Sequence, residues 1–253
     1  MSARLRGRSI AAATATIGSA ACFAASGSLH PWWPAAWLAP VLVVAFAVHA
    51  SARAAFGAAF LARFAGGFAL YSYFRGQLGM PLPIILIVFA APAIVFGLSA
   101  LLVRALARRV SPVTTAALAA AAAAAADHLR TVTSVHGTFG SVAYSQIDAL
   151  PIARLASIGG LPLIVFMLTL ASTTAALAVA RVGAKSERSR AGVIATISLF
   201  FSLILPIALD RHGNVDGRTI KVALLARDVP PFPISLPEPG ARDAVDAYAH
   251  AIE

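Results

Sequence analysis

The chain has 253 residues, of which 59% are hydrophobic and only 12% charged, and its net charge is +10. Soluble domains carry about 25% charged residues, so there are too few polar side chains here to cover a soluble core of this size. The positive charge does not form one basic patch of the kind nucleic acid requires. It lies in short segments between long apolar runs, the pattern by which membrane proteins set their orientation. The single cysteine, Cys22, excludes an internal disulfide and a cysteine-based metal cluster.

Taken in chain order, the apolar runs predict seven spans: Ser9–Ala25, Pro34–Ala50, Ala54–Phe74, Pro81–Val103, Val113–Ala126, Gly159–Ala180 and Ala191–Leu209. The first two are short for a bilayer. The fifth is almost all alanine, which gains little from lipid but lets neighbouring helices approach closely, so it is expected inside the bundle. Arg4, Arg6 and Arg8 before the first run also allow a second reading, a cleaved secretory signal ending near Ser19-Ala20-Ala21-Cys22. Ser19 stands there where a larger aliphatic residue is expected. Cys22 itself reads as an apolar-face thiol, with no sequence-near group placed to activate it.

Charge asymmetry orients these spans. With the N-terminus in the cytoplasm, the inside segments carry Arg4, Arg6, Arg8, Arg53, Arg104, Arg108, Arg109, Arg181, Lys185, Arg188 and Arg190, against Arg75, Arg130 and Arg154 outside. This bias of eleven to three fits the positive-inside rule, and Trp32, Trp33 and Trp37 fall at the outer interface. Arg63, inside the third run, is expected to snorkel inward. Pro81, Pro83 and Pro92 are expected to mark a helix start and a kink.

After Leu209 the character changes. Thr219–Ala226 is a strand candidate, Pro230–Pro233 and Pro237–Gly240 form a rigid irregular stretch, and Ala241–Glu253 has helical spacing. One strand and one helix cannot bury a core, so residues 211–253 read as the start of an incomplete domain after a transmembrane domain at 1–210.

The informative stretch lies between the fifth and sixth runs: Asp127-His128-Leu129-Arg130, then Tyr144-Ser145-Gln146-Ile147-Asp148, then Leu155-Ala156-Ser157-Ile158-Gly159-Gly160. In order and spacing it resembles the bacterial apolipoprotein N-acyltransferases. There an acidic-x-Leu-Arg motif ends a membrane helix, a Gly-Tyr-Ser-Gln motif follows, and a Leu-Ala-x-x-x-Gly segment opens the next helix. The strand candidate Val222–Leu225 is similar to the first strand of that family's nitrilase-like domain. The chain departs from the pattern at Thr131, at Thr138-Phe139, at Ala143 and at Ala226-Arg227.

The resemblance implies an all-α membrane fold, a polytopic bundle of about seven transmembrane helices with a short strand-plus-helix stub of an incomplete nitrilase-like α/β domain. It implies an enzyme that moves an acyl chain from a phospholipid to the N-terminal amine of a diacylated lipoprotein. A Glu-Lys-Cys triad in the nitrilase-like domain would act through a thioester. None of the 253 residues matches that triad, so no catalytic residue is assigned and the chain alone is expected to be inactive. The implied partners are phospholipid, diacylated lipoprotein and the membrane, with a separate nitrilase-like chain as a further candidate; no nucleic acid and no cofactor are expected. The implied place is the bacterial inner membrane, with the C-terminus in the periplasm. The alternative is a non-catalytic membrane scaffold or lipid-binding module.

Four residues of this stretch are candidates for lipid contact: Arg130 toward phosphate, Phe139 and Tyr144 beside acyl chains, and Gln146. Arginine matches phosphate geometry and aromatics favour the interface. The segment is also long for a helix connection, about 32 residues from Asp127 to Ile158. The bland alternative is an interfacial cluster that closes the helix end, with Asp127 and Arg130 paired at i,i+3.

Overall fold

A computed structural model describes residues 3–134 and 136–180. The described chain is mostly helical, and no strand occurs among the described residues. Helices α1 (Ala3–Ser26), α2 (Trp33–His49), α3 (Ala52–Gly67), α4 (Leu82–Leu106), α5 (Pro112–Thr133), α6 (Leu150–Ala153) and α7 (Ala156–Ala180) follow one another. Ser9–Ser26, Leu82–Leu106 and Ala156–Ala180 are long and apolar enough to cross a membrane, and Trp33–His49 is a shorter apolar helix. The seventh run, the strand candidate and the terminal helix candidate lie outside the described residues.

Short connections make successive helices antiparallel, which sorts the loops to two ends. The Arg end carries Arg53, Arg104, Arg108 and Arg109. It is tied by Arg104 Nε donating to the Ala50 carbonyl at 2.8 Å and by a 2.9 Å contact of His49 Nε2 with the Ala180 carbonyl. The Trp end carries Trp32, Trp33 and the long loop before α7.

At the centre runs α2, packed against α1, α3, α4 and α7. Pro34 suits its first turn, where an N–H would have no partner in any case. Eight of its residues are buried, among them Ala35, Ala39, Val43 and Ala47. Small residues set how close the helices come. At Gly66 of α3 a Cβ would collide with the Cβ of Phe23 on α1, so the crossing exists only because glycine is there.

Three expectations change in detail. The third run is not one helix to Phe74: α3 stops at Gly67 and continues as a 3-10 turn at Phe68–Leu70 and a π turn at Tyr73–Gln77. These irregular turns carry Phe74 into a small aromatic core with Ile85 and Phe89 of α4. The fifth helix does not end at Ala126 but runs to Thr133, so Asp127, His128 and Arg130 sit on its last turns. Alanine has the highest helix propensity, the Asp127–Arg130 pair spans one turn, and Thr133 Oγ1 donates to the Leu129 carbonyl. Arg63 does not reach back to the start of α3: its guanidinium lies over the Phe23 ring, 5.3 Å from the centroid, at the level where Gly66 meets the same residue.

Pro81 caps α4 and Pro83 lies in its first turn, whereas Pro92 sits within a helix that continues unbroken to Leu106. Cys22 is half-buried and packs against the central core.

Candidate lipid-facing site

The loop from Ser134 to Leu155 is built onto the end of α5. Asp127 Oδ1 accepts from Arg130 Nη2 at 3.2 Å, and Asp127 Oδ2 accepts from Ser141 Oγ at 2.8 Å. Arg130 Nη1 donates to the Phe139 carbonyl. One carboxylate and one guanidinium thus hold residues 139–141 of the loop from two sides. Charge-assisted bonds of this kind are shorter and stronger than neutral ones, although the pair is partly solvated and an exposed pair contributes only about 0.2–1 kcal/mol.

The clamp leaves three of the four sequence candidates at the surface. The Arg130 side chain is 37% exposed, against 13% for Asp127. Phe139 and Tyr144 are exposed too. The Tyr144 hydroxyl lies 2.7 Å from Thr138 Oγ1, which pins the ring over the loop. The Phe139 ring meets Phe74 edge-on at 6.4 Å between centroids, so the loop tip rests on the π turn after α3. A guanidinium has five N–H donors. Among the described residues two are engaged, and others can meet phosphate oxygens.

Gln146 is placed differently, with no exposed surface. Its Oε1 accepts from the Trp37 indole at 2.9 Å, and its Nε2 donates to the Trp33 carbonyl at 3.1 Å and to Ser145 Oγ at 2.9 Å. The side chain is therefore the bolt between the loop and α2. Ser141 caps the 3-10 turn Val142–Gln146 by accepting from Ala143 N, and this turn aims Gln146 inward. Its partner Trp37 and its neighbour in the turn, Ala143, belong to a buried apolar cluster with Ile152, Leu155 and Val165. His136 is exposed, and its backbone N–H donates to Ser134 Oγ.

A sharp break then interrupts α7 near its start, at Gly159 and Gly160. Gly160 has φ 65° and ψ −168°, a conformation open essentially to glycine alone. The break lets the segment from Leu150 to Ile158 depart from the direction of the rest of α7. Leu150, Ile158 and Ile147 are all exposed there, apolar groups at the same end as Phe139 and Tyr144.

Three residues that matter here were not singled out for this site by their sequence: Trp37 and Ser141, which bind Gln146 and Asp127, and Phe74, which supports Phe139. The short polar motif offered no signal for a partner as distant as Trp37, 109 positions before Gln146.

The family model for the apolipoprotein N-acyltransferase N-terminal domain matches residues 19–174, more than half of the chain. No curated protein matches the sequence. The matched stretch runs from the second half of α1 through the clamp, the Gln146 bolt and most of α7, and so takes in every element that builds the site. By that match the chain belongs to the apolipoprotein N-acyltransferase family, through its N-terminal membrane domain.

Proposed function

We propose that this chain is the lipid-holding membrane part of a phospholipid-to-lipoprotein N-acyl transfer system in the bacterial inner membrane. The observation that carries the reading is the clamp on α5. It fixes a half-exposed arginine beside two exposed aromatic rings at one end of the bundle. The planar fork of a guanidinium fits phosphate oxygens, and rings at that level suit the boundary between head groups and acyl chains. Gln146 takes the part of a positioning residue, which keeps the platform in place without touching lipid.

In this reading residues 1–210 form seven spans with the N-terminus in the cytoplasm, so that the Trp end faces the periplasm. Residues 211–253 begin a periplasmic nitrilase-like unit. The acyl-transfer chemistry needs an activated nucleophile, and Cys22, packed in the bundle, is not one. The nitrilase-like half, in the same or a separate chain, supplies it. Phospholipid and diacylated lipoprotein are the two substrates brought to the Trp end.

Native mass spectrometry of retained phospholipid, read beside a thermal melt in the same detergent, tests the platform. Arg130→Ala and Tyr144→Ala are expected to lose bound lipid several-fold while melting within a few degrees of the parent. Tyr144→Phe keeps the ring and is expected to keep the lipid. If the alanine variants retain their lipid but melt early, the loop only closes the helix ends, and the scaffold reading replaces this one.

A further inference from the structure

Arg63 lies on α3, which packs against α1 and α4, and those two helices are long and apolar enough to cross a membrane. A charge at that depth usually pairs with another charge or reaches a polar cavity. The described residues hold two carboxylates, Asp127 and Asp148, and neither pairs with Arg63. Its guanidinium makes no hydrogen bond among the described residues and lies instead over the Phe23 ring, 5.3 Å from the centroid. That ring is buried and held in turn. Phe96 of α4 meets it edge-on at 5.0 Å between centroids, and Gly66 brings the backbone of α3 against the Phe23 Cβ. The fold thus sets one face of a half-buried guanidinium on a fixed aromatic surface.

We propose that Arg63 binds the phosphate of a second phospholipid where α1 crosses α3, apart from the lipid assigned to Arg130. The chemistry of a stacked guanidinium argues for it. A ring covers its flat face, while its five N–H donors lie in the plane at the rim and stay available to a planar or bidentate acceptor. Arg130 has already given donors to Asp127 and to the Phe139 carbonyl, whereas Arg63 has given none among the described residues. The depth of the group suits a phosphate. Phe23 lies three residues before the end of α1 at Ser26, about 5 Å of helix rise, so the guanidinium sits near the Trp end and not at the middle of the bundle. The neighbouring helix α2 has 17 residues and rises about 26 Å. That is shorter than the roughly 30 Å of a hydrocarbon core, and a bilayer thins around a short span. Thinning at the α1–α2 hairpin brings lipid phosphates down toward Arg63. A phosphate there supplies the negative charge that the described residues do not.

This site rests on the membrane reading of the chain and not on the Arg130 platform, and the test keeps the two apart. Native mass spectrometry counts the phospholipids that the full chain retains, beside a thermal melt in the same detergent. Arg63→Gln and Arg63→Met are each expected to lower that count by one, Arg130→Ala to lower it by one, and Arg63→Gln with Arg130→Ala to lower it by two. Arg63→Lys keeps a charge without the fork and is expected to retain the lipid in part. A count unchanged in both Arg63→Gln and Arg63→Met overturns the proposal. With an early melt, it gives the arginine's counter-charge to another segment of the chain; with an unchanged melt, it leaves Arg63 packed on Phe23 and nothing more. If Arg130→Ala keeps its lipid while the Arg63 variants lose theirs, the platform fails and this site stands. Rebinding to protein stripped of lipid identifies the group recognised. Dioleoylphosphatidylethanolamine is expected to restore the count in the parent and not in Arg63→Gln. Equal rebinding of dioleoylglycerol would assign the site to acyl chains, and release of the lipid by excess inorganic phosphate would assign it to a free anion; either result overturns the proposal.

Discussion

The two ends of the bundle are built on different principles. At the Arg end the helices turn within a few residues, serine hydroxyls cap α3 and α5, and the inter-helix ties from Arg104 and His49 go to backbone carbonyls at helix ends. At the Trp end a long loop is held by side chains that bond one another, Asp127 with Arg130 and Ser141 and Gln146 with Trp37. The first end closes on backbone carbonyls, which any residue would supply, and is suited to setting orientation. The second spends buried polar groups on holding a particular surface, which is what a binding site requires and a plain helix connection does not.

If that contrast is sound, substitutions at the Trp end should cost more than those at the Arg end. The largest effect is expected for Gln146→Leu. It strands the buried Trp37 indole N–H, at a cost on the order of 3 kcal/mol. A thermal melt should show a clear loss, with retained lipid falling along with loop order. A melt no lower than the parent's would mean that the loop is not bolted to α2.

An intermediate effect is expected for Gly160→Ala. The added Cβ would sit 3.4 Å from Pro162 Cδ, an ordinary contact, so the penalty is backbone strain at φ 65° and amounts to about 2 kcal/mol. Unfolding equilibria in mixed detergent measure it. A neutral result would show that the break near the start of α7 can relax. The smallest effect belongs to the other end. Ser51→Ala removes the hydroxyl that accepts from Ala54 N at 3.3 Å and should cost about 1 kcal/mol. Lipid retention should not change; a loss of lipid there would blur the distinction between the ends.

How legible this was from the sequence differed from element to element. The helices whose apolar runs are bounded by proline or serine, α2 and α4 above all, lie within a few residues of their expected limits, because hydropathy and helix starts are local properties. The i,i+3 pair of Asp127 with Arg130 was readable for the same reason, since one helical turn sets it. The irregular end of α3 was not, because Phe74 leaves the helix to join Ile85 and Phe89, and nothing near Phe74 announces that partner. Nor was the extension of α5 past Ala126, where the apolar run ends but the helix does not.

The candidate residues divide along the same line. Arg130, Phe139 and Tyr144 were chosen by their chemistry, and the fold leaves all three at the surface. Gln146 was chosen from the same motif, and the fold buries it. Residue type says what a side chain can bond to, and an amide can serve a lipid head group or an indole equally well. The partner is decided by the 3-10 turn that points Gln146 inward and by the path of α2, which places Trp37 opposite it. The sequence by itself determined a helical membrane chain, its charge bias and its family, because composition and short-range spacing carry that information. Only the tertiary structure decided which polar side chains face out and which hold the platform together, because that choice depends on contacts between segments far apart in the chain.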